Sequence, residues 1–409
     1  MFERKRLGFV DRAWLRMDSP HNPMVITAVL FFAEGLPWEA LVDVVERLAK
    51  QPRFASRVVP AGPLWAAWEP VERFEPLAHV ERVTVPPDEE ALRVLVARVV
   101  STPLPRTAPL WRMVVADRGA AGVALIVRVH HAVGDGVTLL RTLLDVAERH
   151  EGARAVAGTL LPEVPRALRQ RLARVEDDAR ALVRLLALSH EPPSPLRPRL
   201  TGRKDLAWTP PLPLPALSSR AHARKATLTD LVMAAFSMAL DEEHRRCTGQ
   251  PLPSARALVP VFVHGAAANS GNHFGLVFLP LPQADTLDER IAELSSTLPA
   301  LKDAPDTEVA LLVLGGLGLL PRLLERAGVA LFTGKASLLF TSVPGARGTV
   351  TLGGHRLARL VVSAPVAGTI GMSVSLLSHG DDVEVSVALD RALPHDPRRI
   401  VTRLAELLT

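Results

Sequence analysis

The sequence predicts an α/β protein built as two domains. Apolar runs rich in β-branched residues alternate with stretches of helical periodicity along most of the chain. With 409 residues, 48% of them hydrophobic, it is long enough to bury two sizeable cores. A change of composition near the middle separates the halves. It sets expected boundaries of 1–150 for an N-terminal domain, 151–218 for a helix and Pro-rich crossover linker, and 219–409 for a C-terminal domain.

In chain order, Met24–Ala33 reads as a strand beginning after Pro23, and Glu39–Lys50 and Asp88–Val100 as helices. Gly122–Val129 (GVALIVRV) is almost continuously apolar, as in a strand buried on both faces. Val137–Arg149 then places Val137, Leu140, Leu144 and Ala147 on one helical face, and Arg166–Leu188 is a charged amphipathic helix. Pro192, Pro193, Pro195 and Pro198, followed by Pro210, Pro211, Pro213 and Pro215, predict an extended connector without regular structure. Beyond it come a helix over Leu228–Arg246, capped by Thr227 or Thr229, and strands Ala257–Val263 and Leu276–Leu281. Helix Thr286–Lys302, strands Thr349–Leu352 and Val383–Asp390, and helix Pro394–Leu408 complete the reading.

The most informative residues are His130-His131-Ala132-Val133-Gly134-Asp135-Gly136, at the junction of the buried strand and the helix after it. An imidazole there is held rigidly yet reaches a substrate, and its ordinary pKa near ~6.5 suits it to take a proton at neutral pH. Adjacent side chains on a strand point to opposite sides, so one histidine works while the other packs. Asp135 opens the helix as a cap or meets a buried arginine, and Gly136 allows a tight turn. Diverging imidazoles without a nearby cysteine are poor metal ligands, so no metal is expected.

This pattern resembles the active-site motif of the CoA-dependent acyltransferase superfamily, which includes chloramphenicol acetyltransferase and the condensation domains of peptide synthetases. The flanking blocks resemble the bacterial wax ester synthase/diacylglycerol acyltransferase family in particular. They are Asp11-Arg12-Ala13-Trp14 with Asp18-Ser19-Pro20-His21-Asn22-Pro23-Met24, Pro109-Leu110-Trp111, Gly271-Asn272 through Pro280-Leu281-Pro282, and Val343-Pro344-Gly345. The resemblance runs from about Leu7 to the last helix. It implies two chloramphenicol acetyltransferase-like domains with mixed sheets and a catalytic tunnel between them. It also implies transfer of a long-chain acyl group from acyl-CoA to diacylglycerol or a fatty alcohol, with acyl-CoA as substrate and no cofactor. On this reading His131 is the general base, and His130, Asp135 and Gly136 complete the motif. Pro109, Leu110 and Trp111 shape the acyl pocket, and Thr229, Asn272 or Ser373 donates to the oxyanion.

The departures are specific. The family's usual Asn-Asp pair is Thr229-Asp230, and its Asn before Val-Pro-Gly is Ser342. Its Leu-Asn-Ile block with a Ser-Tyr pair reads Met372-Ser373-Val374 with Ser378-His379, and tyrosine is absent from the chain. Ser and Thr keep one donor and an acceptor but lose the second amide donor. The competing readings are therefore a related acyltransferase acting on a carrier-protein-bound acyl chain or a polyketide hydroxyl, and a non-catalytic lipid-binding homologue.

A net charge of +5, carried mostly by arginine, suits phosphate groups and anionic membranes. No basic run with interleaved aromatics points to nucleic acid. The single Cys247 excludes an internal disulfide and suits a reducing compartment. Met1–Arg6 is charged and carries no signal-like apolar core, so a cytoplasmic protein is expected, with peripheral contact to the inner membrane or lipid inclusions. Val309–Leu320 (VALLVLGGLGLL) falls short of the ~20 residues of a spanning helix. It reads as a buried core helix, or as one lining an acyl tunnel or dipping into a lipid interface.

Overall fold

Two mixed sheets organise the chain. The computed structural model describes residues 4–62, 65–149, 175–262, 274–302 and 306–409. The first sheet runs Arg359–Ser363, Val25–Phe32, Val123–His130, Trp111–Asp117, Val80–Thr84, antiparallel except for the last pair. The second runs Leu212–Pro213, Asp382–Asp390, Met372–His379, Leu338–Val343, Arg256–Phe262, Phe274–Pro280, with Lys204–Trp208 also bonded to Asp382–Asp390. Leu338–Val343 lies parallel to both neighbours, and the remaining pairs are antiparallel.

Both faces of the first sheet are covered, which explains the nearly unbroken apolar run ahead of the histidines. Leu30, Phe32 and Leu125 pack with Leu41 and Val44 of helix Trp38–Ala49 and Leu140 and Leu144 of helix Gly136–Val146. Val29, Phe31, Ala124 and Ile126, on alternate positions, pack with Leu92 and Val96 of helix Glu89–Val100, capped by Asp88, and with Leu206 and Trp208. In the other half, helix Leu228–Thr248 buries Leu231 through Phe236 almost all round. Thr227 caps it in a reciprocal capping box with Asp230.

Several expectations are corrected. The proline-dense stretch is not structureless: strands Lys204–Trp208 and Leu212–Pro213 lie within it, and helix Leu214–His222 starts at its end. Residues 199–209 carry no proline, so their N–H groups are free to join a ladder, and Trp208, fully buried, anchors the strand between the two sheets. The helix after the histidines stops at Val146, and Glu148–Arg149 pair instead with Val350–Thr351. Within Val309–Leu320, Val309, Ala310 and Leu314 are buried, but the helix, Asp306–Leu317, ends before Leu319 and Leu320, which are exposed. The first part of the predicted Arg166–Leu188 helix lies outside the described residues, and Val175–Ala187 is helical.

The halves interlock. Arg359–Ser363, late in the chain, forms the edge of the first sheet by pairing with Val25–Phe32. Buried Asn22 donates from Nδ2 to the carbonyls of Gly368 (3.0 Å) and Ile370 (3.2 Å) and accepts from Lys204 Nζ (2.6 Å). Among the described residues, no helix is long and apolar enough to cross a membrane.

Candidate active site

The histidine loop is fixed mainly by backbone bonds. His130, the last residue of strand Val123–His130, donates its N–H to the Leu110 carbonyl at 2.9 Å, and His131 donates to the Met24 carbonyl at 2.7 Å. Four residues later Asp135 starts the next helix, its carboxylate accepting the Thr138 N–H at 2.8 Å. It is a cap, as one of the two sequence readings had it. Gly136, the first residue of the helix, is not among the glycines with a left-handed backbone. A Cβ there would stand 3.4 Å from Val343 Cγ2, so this helix start directly faces the Val343-Pro344-Gly345 block.

The two histidines have different surroundings. His130 is 1% exposed, and its Nδ1 accepts the Ala132 N–H at 3.0 Å, which leaves the proton on Nε2. That nitrogen faces Asp18 Oδ1 at 3.9 Å, beyond hydrogen-bond reach. Burial pushes the His130 pKa down to about 4; the Asp18 carboxylate opposes this, and His131 and Arg106 reinforce it. His130 is thus a neutral, packed histidine at pH 7. His131 stacks its ring on the Trp14 indole, centroids 4.2 Å apart and planes 21° from parallel.

A second support comes from a residue the sequence reading passed over. Arg53 donates from Nη1 to the Val133 carbonyl at 2.8 Å, and its Nη2 lies 3.1 Å from Asp11 Oδ2. One guanidinium therefore joins the histidine loop to helix Phe9–Met17. Asp11 and Trp14, three apart on that helix, both support the loop. A lone arginine in Gln51-Pro52-Arg53-Phe54 carries no local pattern that would have flagged it.

The other predicted residues divide. Pro109, Leu110 and Trp111 are buried; Trp111 donates from Nε1 to the Phe54 carbonyl at 2.8 Å and packs with Phe54, Phe74 and His79 in the core. Thr229 and Ser342, both at positions of family asparagines, hydrogen-bond each other at 3.2 Å, beside Val343. Ser373 is buried, and its hydroxyl donates to the Ala364 carbonyl at 2.9 Å. Asn272 lies outside the described residues. Gly345 is confined by the Ser378 carbonyl, which would collide with any Cβ, and its N–H bonds Ser378 Oγ at 3.1 Å. Among the described residues, no cluster of three or more His, Cys, Asp or Glu side chains forms a metal site.

The His-His-x-x-x-Asp-Gly loop thus lies at a strand-to-helix junction and faces the Val343-Pro344-Gly345 block of the second sheet. The chain belongs to the wax ester synthase/diacylglycerol acyltransferase family: residues 7–253 match its catalytic domain and residues 270–409 its C-terminal domain. A probable diacylglycerol O-acyltransferase of Mycobacterium tuberculosis is 31% identical over 153 residues, covering 35% of this chain and 56% of that protein. A putative diacylglycerol O-acyltransferase of the same species is 26% identical over 435 residues, covering 96% of this chain and 95% of its own. The fold is similar to that of the wax ester synthase/diacylglycerol acyltransferase from Marinobacter aquaeolei VT8, with TM-score 0.71, 19% identity and 98% of both chains covered. It is also similar to the first condensation domain of the calcium-dependent antibiotic synthetase, with TM-score 0.62, 17% identity and coverage of 100% and 97%.

Proposed function

We propose that this protein moves a long-chain acyl group from acyl-CoA to the hydroxyl of diacylglycerol or a fatty alcohol, with His131 as general base. The observation that carries the reading is the different fixing of the two buried histidines: His130, 1% exposed, is held neutral with Nδ1 taken by the Ala132 N–H, while His131, 8% exposed, is fixed by Met24 and Trp14 at the start of the loop. His131 takes the proton of the acceptor hydroxyl as its oxygen attacks the thioester carbonyl. The tetrahedral oxyanion collapses, the C–S bond breaks, and the proton passes from His131 to the CoA thiolate. No acyl-enzyme forms. Asp135 and Gly136 place the loop against the second half. One oxyanion donor is worth ~3 kcal/mol. Ser373 donates to the Ala364 carbonyl, whereas the Thr229 hydroxyl bonds another hydroxyl, Ser342 near Val343, and one proton of that pair is free to turn to a substrate; Thr229 or Asn272 is taken for that role. Residues 1–150 and 219–409 act as the two domains, joined by 151–218.

The acceptors are apolar, and the surface suits a peripheral contact with a membrane or lipid inclusion. Leu323 is 79% exposed and Leu324 57%, beside exposed Arg322 and Arg326 and near Leu319, Leu320 and Phe9. Flotation with anionic vesicles tests this contact; protein that stays entirely at the bottom of the gradient argues against it.

The enzymatic test is CoA release from palmitoyl-CoA with hexadecanol, dioleoylglycerol or no acceptor. Acceptor-dependent release that disappears in His131→Ala is the expected result. Folded wild-type protein that releases CoA with neither acceptor, or a variant that keeps full activity, overturns the proposal.

A further inference from the structure

Behind the histidine loop lies a cavity of about 460 Å³, bounded by helix Phe9–Met17 on one side and strand Ser56–Pro60 on another. Its apolar wall includes Leu15, Val58, Trp65 and Leu110, whose carbonyl receives the His130 N–H. Its polar wall is four arginines: Arg12, Arg16, Arg106 and Arg322. Arg12 and Arg16, four apart, share a helix face distinct from that of Asp11 and Trp14.

Two of these cations already have partners. Arg16 meets Glu325 at 2.5 Å and donates to the Gly318 carbonyl, and Arg106 meets Asp18 at 2.9 Å. The other two do not. Arg12 is 9% exposed, its Nη1 is buried without a hydrogen-bond partner, and its side chain makes no ion pair among the described residues. Burial and the neighbouring Arg16 both disfavour its charge, and Glu325 only partly offsets them. Arg322, exposed at the rim next to Leu320 and Pro321, likewise makes no side-chain hydrogen bond or ion pair among the described residues. A buried guanidinium left without an acceptor is costly, and a planar fork of donors matches phosphate oxygens.

We propose that this cavity binds the phosphate of an amphiphile, with Arg12 as the buried ligand, Arg322 as the rim ligand and the Leu15, Val58 and Trp65 wall taking the apolar part. The source is either the nucleotide phosphates of the acyl donor or the headgroup of an anionic phospholipid. Assignment to the donor rests on the acyltransferase reading; binding of phosphate does not.

The test is equilibrium binding by the full chain, independent of turnover. CoA is titrated calorimetrically with pantetheine as the phosphate-free control, and phosphatidylglycerol vesicles are compared with phosphatidylcholine vesicles by co-sedimentation. Arg12→Gln is expected to weaken one phosphate ligand about 10- to 100-fold, with Arg12→Lys recovering part of the loss. Arg322→Gln, at an exposed position that folding does not depend on, is expected to weaken the same ligand roughly 2- to 5-fold. Loss confined to CoA assigns the site to the donor, and loss confined to phosphatidylglycerol assigns it to a headgroup. Unchanged affinity for both ligands in both variants overturns the proposal. If acyl transfer is still lost in His131→Ala, the catalytic reading stands without it; if phosphate binding depends on Arg12 but no acyl transfer occurs, the reverse holds.

Discussion

The imidazole of His131 and the indole of Trp14 stack with centroids 4.2 Å apart, although 117 positions separate them in the chain. The ring that we assign as base is held by an aromatic plate on the first helix as well as by its own backbone. Position costs rate steeply: a displacement near ~1 Å is enough for ~100-fold. Trp14→Leu is expected to lower kcat by about 10- to 100-fold with little change in KM, whereas Trp14→Phe, which keeps a ring, stays within about threefold. Steady-state kinetics of the two variants checks this, and equal losses in both would show that stacking is not the operative contact.

Arg53 makes a separable prediction. Its ion pair with fully buried Asp11 and its bond to the Val133 carbonyl are both lost in Arg53→Met. Breaking a fully buried pair costs ~3–5 kcal/mol; with Arg53 partly exposed, about 2–3 kcal/mol is expected in urea unfolding. The double variant with Asp11→Asn is expected to lose less than the two single losses added together. Strict additivity would show that the pair is not coupled.

His130 supplies a pH signature. Its folded pKa, about 4, lies below the ~6.5 of an unfolded histidine, so the unfolded chain binds more protons between those values. The stability tied to neutral His130 is complete above pH ~6.5 and falls as pH drops toward 4, by up to about 3 kcal/mol. The stability difference between wild type and His130→Asn, measured by urea unfolding at several pH values, is therefore expected to shrink as pH falls from 7 to 4.5. A difference that stays constant would mean that His130 titrates normally.

Asn22 ties three distant parts of the chain together. Asn22→Leu leaves the Lys204 ammonium with Asp390 at 3.5 Å after losing its 2.6 Å acceptor, and removes the donor to two carbonyls. Burial already lowers the Lys204 pKa, with Asp390 at 3.5 Å opposing the shift, so a further lost partner is felt strongly. A loss of about 2–4 kcal/mol is expected, since each unsatisfied buried group costs ~1–3 kcal/mol. Thermal unfolding checks it; a shift in Tm under about 2 °C would refute the estimate.

Local pattern was enough for much of this molecule. The GVALIVRV run, the His-His-x-x-x-Asp-Gly loop and the helix after it were legible because hydrophobic periodicity and caps act over a few residues. The proposal of His131 as base rests on motif and context. The strand Lys204–Trp208 was not, because proline density is a local signal while its pairing with Asp382–Asp390 lies nearly two hundred positions away. The same holds for the edge strand Arg359–Ser363 in the first sheet.

By itself, then, the sequence determined the strand before the histidines, the helix after them, where the histidines sit, and what chemistry they suit. Only the tertiary structure decided which histidine is held neutral, that Arg53 joins Asp11 and Trp14 in supporting the loop, and that Arg12 Nη1 is left without an acceptor in a cavity. The physical reason is range: periodicity and capping are written in neighbours, whereas desolvation and charge compensation depend on what folding brings alongside, such as Glu325 beside Arg16 and Lys204 beside Asn22.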